Sequence, residues 1–411
     1  RRTKLPSPPP IMALHLDVLL YCALLVLFIW RSCVWWRFSG VALENLNYIS
    51  LLYLLMHILL VCEVVNFGQA LMIDLKGEFS NELDSHSFLW VKIAMWITPF
   101  ALVFIMCLTW FQSREHIRKI WRREAELQHD RALQIVALPA VYAVMAMSSL
   151  AQLYQLAAEH HAPGTDAGKI EEIRKISYSR YETVFMVADL YEAWALYQFG
   201  ALTLEVLEAT LAMRWSRRGG RTREGQDEVR MSYVAVSQLM WLGTAMFVVV
   251  CVIQAGWSLW QWNFGAAGSN WEEYDHDLRQ FYFAGLLASG AAIYNVNVVE
   301  SAYSEMLEAY SPLTKFVSVK LLVFFSFWQK GALGFAKDLG FLQLTDLQLK
   351  LLHSTLLVYE CLASALLHRW AWSAEEPWYT ALAAPPKSGP AADADERRPL
   401  LPGAETSAQS A

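Results

Sequence analysis

Nine apolar stretches recur along the chain, at 12–30, 49–73, 90–111, 133–156, 181–213, 232–257, 281–303, 310–329 and 347–367. Each is close to or above the ~20 residues an α-helix needs to cross a ~30 Å hydrocarbon core. Of 411 residues, 55% are hydrophobic and 18 are Trp, with a mean hydropathy of +0.27. A chain this long and apolar reads as an integral membrane protein. The expected fold class is all-α: a polytopic integral membrane protein with a seven-helix core bundle and two further N-terminal transmembrane helices. Residues 1–11 are read as a leader or artefact outside the fold. Residues 12–89 hold the two N-terminal helices and an acidic loop, 90–370 the seven-helix core, and 371–411 a disordered cytoplasmic tail. The 12–30 stretch also fits a signal peptide. Bulky aromatics follow it (RSCVWWRF) where a cleavage site needs small residues, so a retained helix is favoured.

Charge placement orients the bundle. The segments after 111 and after 213 are rich in Arg and Lys, and those around 74–84 and 272–277 are acidic. Basic loops stay on the cytoplasmic side. This puts the start of the 310–329 helix and the C-terminal tail in the cytoplasm. Trp257, Trp260, Trp262 and Trp271 then mark the outer boundary, and Trp110, Trp215, Trp370 and Trp372 the inner one. The cysteines lie in or beside apolar stretches, so neither a disulfide framework nor a zinc site is expected. His160–His161 lacks a third ligand at metal spacing. No G-x-x-x-x-G-K-S/T loop is present, which disfavours an ATP-driven pump. A modest net charge of −6 gives no footprint for nucleic acid. ERRPLL, at 396–401, fits an acidic dileucine sorting signal.

The 310–329 stretch, YSPLTKFVSVKLLVFFSFWQ, is apolar except for Lys315 and Lys320. Pro312 suits the first turn of a helix. A lysine at the bilayer centre costs about 2.5–3.5 kcal/mol on insertion scales, so each either snorkels or serves a purpose. The stretch at 181–213 likewise contains Asp189, Glu192, Glu205 and Glu208. Counting from the cytoplasmic ends sets Glu205 and Lys320 at similar depth, and the two are expected to pair or to face one polar cavity. Independent snorkelling is the competing reading. Asp189 and Glu192, with Tyr191 and Tyr197 close by, read either as the lining of a path for amphipathic solutes or as an interhelical hydrogen-bond network. Tyr294 and Asn295 carry the same two readings, with packing preferred. His57 and Glu63 in the 49–73 stretch have no assigned role.

The 310–329 run resembles the signature of the organic solute transporter alpha family, which includes little-characterised seven-helix relatives and a plant tonoplast lineage. Three more stretches resemble it in order: Tyr142–Val144 with Ser149 and Leu150; Tyr191, Glu192, Ala193, Tyr197, Phe199, Leu202 and Glu205; and Tyr294, Asn295 and Tyr303. Met145, Gln198 and Glu300 depart from the family's residue types. The resemblance implies facilitated transport of organic solutes, steroid-like or amphipathic and anionic, with no cofactor and no enzymatic step. The candidate residues for a substrate path are Asp189, Tyr191, Glu192, Tyr197, Gln198, Glu205, Tyr294, Asn295, Lys315, Lys320, Trp328 and Gln329. The lipid bilayer is an expected partner, with a single-span partner subunit or a homo-oligomer also in view. The expected location is the plasma membrane or an endosomal or vacuolar membrane. The alternative function is a non-transporting scaffold or regulator of signalling or trafficking.

Overall fold

The computed structural model describes residues 42–75, 88–159, 167–217, 223–264 and 271–379. Among them there is no strand. The helices are α1 (Ala42–Leu75), α2 (Leu89–Trp121), α3 (Glu126–Val136), α4 (Leu138–Glu159), α5 (Ala167–Arg217), α6 (Arg223–Phe264), α7 (Trp271–Ala302), α8 (Ser304–Leu307), α9 (Pro312–Asp338) and α10 (Asp346–Ala371). Among the described residues, six spans are long and apolar enough to cross a bilayer: those in α1, α2, α3–α4, α6, α7 and α10. The chain is an all-α polytopic membrane protein. Each apolar stretch from 49–73 onward lies in or largely in one of these helices, and the 12–30 stretch lies outside the described residues. α5 and α9 are long enough as well but carry ionisable residues through their middles, and two ion pairs join them, Lys320–Glu192 and Lys330–Glu182.

Local sequence explains the ends of the helices. Thr345 caps α10 in a reciprocal box: its hydroxyl accepts from the Gln348 N–H, and the Gln348 side chain accepts from the Thr345 N–H at 2.9 Å. This satisfies two donors that a helix start otherwise leaves bare. α9 ends at a glycine in the left-handed region, Gly340 with φ +77°. The Phe341 N–H reaches the Ala336 carbonyl and the Gly340 N–H the Lys337 carbonyl, each at 2.9 Å. That is a Schellman closure, and only glycine adopts its backbone without strain.

Several segments expected to be loops are helical. α5 runs for 51 residues, about 75 Å at 1.5 Å per residue, so it projects well beyond the bilayer. The acidic run WEEYDHD forms the first turns of α7, where carboxylates complement the helix dipole. The basic segment after 111 extends α2 to Trp121, turns through Arg123 and Ala125 with positive φ, and re-enters as α3. The expected tail also starts late, since residues 372–379 pack against the bundle and Trp372, Trp378 and Tyr379 are buried.

α4 is the hub. It is buried along its length and packs on α1, α2, α5 and α10. Glu63 of α1 accepts the Ser148 hydroxyl of α4 at 2.7 Å, which gives that acid a structural role. In lipid, helices associate through close packing and interhelical hydrogen bonds rather than through the hydrophobic effect. α5 carries α6, α6 carries α7, and α9 rests on α10 and α5. α7 and α9 hardly touch each other. A cleft is left between them, with α5 and α6 behind it.

Candidate functional site

The cleft encloses a cavity of about 370 Å³. Its back wall is Asp189 and Glu192 of α5 with Phe247, Cys251 and Gln254 of α6. One side is α7, where Gly285, Ser289 and Gly290 leave room that larger side chains would fill. The other is α9, with Phe316, Lys320, Phe324 and Trp328. The rim is apolar and faces outward: Leu286 and Ile293 on α7, Val317, Phe324 and Trp328 on α9 are all exposed. The cavity therefore opens sideways, toward the hydrocarbon.

One ion pair stands in this apolar wall. Lys320 Nζ lies 2.6 Å from Glu192 Oε1 and 3.0 Å from Ser289 Oγ, and sits over the Phe247 ring at 4.6 Å. Glu192 is 0% exposed. Two of the three ammonium donors are thus placed, and Lys320 presents its charge to the cavity with Glu192 behind it. Next to them, Asp189 Oδ1 accepts the Tyr142 hydroxyl at 2.6 Å.

Toward the N-terminal part of α5, Glu182 holds Lys330 at 2.6 Å and Lys350 at 3.3 Å and accepts the Tyr282 hydroxyl. Tyr282 lines the cavity, and its oxygen is 3.0 Å from Lys330 Nζ, so this cluster closes one end. The other end is closed by rings. Phe316 packs near Phe199 at 6.0 Å between centroids, and Phe199 packs on Trp372 and Tyr310. Beyond them Lys315, 2% exposed, pairs with Glu376 at 2.6 Å. Its ammonium is boxed by the rings of Tyr310, Trp372 and Trp378 at 5.0–5.8 Å.

Of the twelve residues expected on the path, Asp189, Glu192, Lys320 and Trp328 line the cavity. The expected Glu205–Lys320 pair does not form: Lys320 takes Glu192, and Glu205 takes Arg131 at 2.6 Å with Gln128 at 3.4 Å. Depth counting failed because it treated Arg131 as loop, whereas α3 carries that guanidinium into the bundle beside Glu205. Tyr191 donates to the Gln134 carbonyl at 2.8 Å, and Tyr197 stacks on Trp194 and packs at a tilt against Trp241. Gln198 is buried away from the lining. Tyr294 faces outward, Gln329 donates to Glu360 at 3.0 Å, and Lys315 sits in its ring box. Asn295 donates to the Leu239 carbonyl at 2.8 Å, and its amide occupies the space a Cβ on Gly243 would need, a packing role.

The α7 wall went unnoticed in the sequence. Its signal was the small pair Gly285 and Ser289, four residues apart on one helix face, the spacing by which membrane helices approach closely. The Gly285 position is tight on the α6 side, where an added Cβ would lie 3.0 Å from Gln254 Nε2.

The family model of the organic solute transporter Ostalpha matches residues 173–377. That region holds every residue lining the cavity, Lys315 and its Glu376 partner included beside it. The chain belongs to the organic solute transporter alpha family. Among curated proteins, the vacuole membrane protein hfl11 of Schizosaccharomyces pombe is 27% identical over 215 residues, covering 46% of this chain and 46% of that protein. The chain thus spans about half the length of that relative. No solved structure matches. The family is one of transporters, and its matched region is the part of this fold that encloses a cavity.

Proposed function

We propose that the chain is a carrier giving amphipathic organic solutes, steroid-like anions foremost, a facilitated route through the membrane. The observation that supports this reading is an apolar, laterally open cavity with one ammonium set into its wall. Its volume of about 370 Å³ falls in the ~300–1,000 Å³ range of small-molecule sites. Phe247, Phe316, Phe324 and Trp328 suit a flat apolar skeleton. Lys320 suits an anionic end, and the gap between α7 and α9 suits loading from the bilayer. The likeness to the vacuole membrane protein hfl11 and the sequence signal at 396–401 favour an endosomal or vacuolar membrane, with the C-terminus in the cytoplasm. A single-span partner subunit belongs to this reading as well.

The test is uptake of a labelled steroid conjugate into proteoliposomes holding the purified chain, beside Lys320→Ala and Glu192→Gln. Saturable uptake, reduced at least tenfold in a folded Lys320→Ala protein, is the expected result. Absence of uptake, together with no gain on adding a single-span protein recovered by pull-down, would leave the scaffold reading in its place.

A further inference from the structure

A second cationic group stands at one end of the cavity. Lys330 lies ten residues beyond Lys320 on α9, about 15 Å along the helix axis, and α10 brings Lys350 to the same acid. Both ammoniums hold the Glu182 carboxylate, at 2.6 and 3.3 Å. Among the described residues no other acid lies within ion-pair distance of either lysine, and Asp346 pairs with Lys337. Two positive charges against one negative leave a surplus of one. Lys320 has no such surplus, since Glu192 matches it and Asp189 lines the cavity next to the pair.

Rings hold these lysines in place. The Lys330 ammonium is 4.5 Å from the centroid of the Tyr282 ring, and that of Lys350 is 4.4 Å from Tyr181 and 4.9 Å from Tyr178, within the range of cation–π attraction. Lys330 gives one N–H to Glu182 and one to the Tyr282 hydroxyl, and Lys350 gives one to Glu182. An ammonium has three donors, so three remain on the two lysines among the described residues. The Glu182 side chain is only 6% exposed, against 39% for Lys330 and 21% for Lys350. The acid is shut in and the ammoniums reach outward. Tyr282, bonded to Glu182 and to Lys330, also lines the cavity, which joins this cluster to the apolar space.

We propose that Lys330 and Lys350 form a station for the head group of a sulfate ester or sulfonate, with the solute's apolar skeleton lying along Trp328 and Phe324 toward Lys320. The inference rests on the carrier reading above and deepens it. Such a head group carries one negative charge on three terminal oxygens. These match the surplus charge and the three remaining donors, whereas a carboxylate has only two oxygens to offer. Lys320 is then the ammonium that the head group passes further in, and the lysine pair is where it rests.

The experiment measures uptake of a labelled steroid sulfate into phosphatidylcholine proteoliposomes holding the full chain. Lys330→Gln and Lys350→Gln each leave Glu182 one lysine, so both variants should melt near wild type. Each should raise the KM for the sulfate on the order of tenfold, as the loss of a charged hydrogen bond at a partly exposed site does, with the maximal rate within twofold of wild type. Lys350→Arg keeps the charge and should stay close to wild type. An uncharged steroid glucoside added as competitor should inhibit the wild type and the variants alike. Glu182→Gln, which raises the surplus to two, should lower the KM, a direction that a merely structural role does not give. Saturable uptake with one KM in every variant would overturn the proposal and leave the carrier. Equal weakening of sulfate and glucoside would overturn it too, by making the lysines structural. So would phosphatidylglycerol that raises the wild-type KM and leaves Lys350→Gln unmoved, because the station would then belong to a lipid phosphate. No saturable uptake by the wild type, with or without a single-span protein recovered by pull-down, would remove the carrier reading and this one with it.

Discussion

Lys320 and Glu192 meet at 2.6 Å inside the bundle, and what they contribute depends on how they are removed. Taking two charges out of water costs several kcal/mol per ion, and the mutual attraction roughly offsets it only while both partners are present. Lys320→Met alone is expected to lower stability by about 3–5 kcal/mol, because it strands a buried carboxylate. Glu192→Gln leaves the ammonium without its carboxylate and should cost less, since Lys320 keeps the Ser289 hydroxyl and the new amide oxygen as acceptors. The double variant should return most of the way to wild-type stability, a coupling that a double-mutant cycle reads directly. Thermal unfolding in detergent measures the stability arm, and solute uptake the other. A double variant that is stable yet inactive assigns the pair to transport. One that is as unstable as its worse parent would show that the two residues do not act as a pair.

At the level of elements, the unexpected piece is the strap at 372–379. Trp372 donates to Ser318 at 3.0 Å, and its carbonyl accepts from Gln112 at 2.9 Å and faces His116 Nε2 at 3.1 Å. Trp378 donates to Glu376 at 2.7 Å, and Tyr379 stacks on His129 at 3.9 Å. A chain ending at Ala371 should therefore unfold well below wild type, whereas one ending at Tyr379 should match it within a degree or two. Equal melting of the two would deny the strap any share in the fold. The sequence did not announce this element, because Ala, Pro and acidic residues after Trp372 have the composition of a tail. Helix positions were legible, since a bilayer-length apolar run has few other solutions. Partners were harder to read. Lys320 had several acids within plausible depth, and the choice of Glu192 over Glu205 came from Arg131, whose entry into the bundle on α3 no periodicity revealed. The α7 wall was hidden for a different reason: Gly285, Ser289 and Gly290 matter through the space they leave, and an absent side chain gives no chemical signal.

For the whole molecule, orientation decides what each end of the cavity faces. Arg118, Lys119, Arg122 and Arg123 cluster where α2 ends and α3 begins. The strap packs at the same end, because Lys119 reaches Glu375 at 3.1 Å. The opposite end holds the turn between α9 and α10, where Lys337 pairs with Asp346. Basic segments stay on the cytoplasmic side during insertion, so the strap should face the cytoplasm and the Lys337 turn the lumen or exterior. Cysteines placed at Arg123 and at Asp338 would report this with a charged, membrane-impermeant maleimide. The Asp338→Cys chain should label in sealed vesicles whose exterior is the non-cytoplasmic face, and the Arg123→Cys chain only after permeabilisation. Native Cys107, exposed on the apolar side of α2, should stay unlabelled in both, because the reagent needs a thiolate and water. The reverse pattern would turn the bundle over. It would also exchange the faces of the two closures, placing the Lys315–Glu376 box at the non-cytoplasmic end and the Glu182 cluster at the cytoplasmic end.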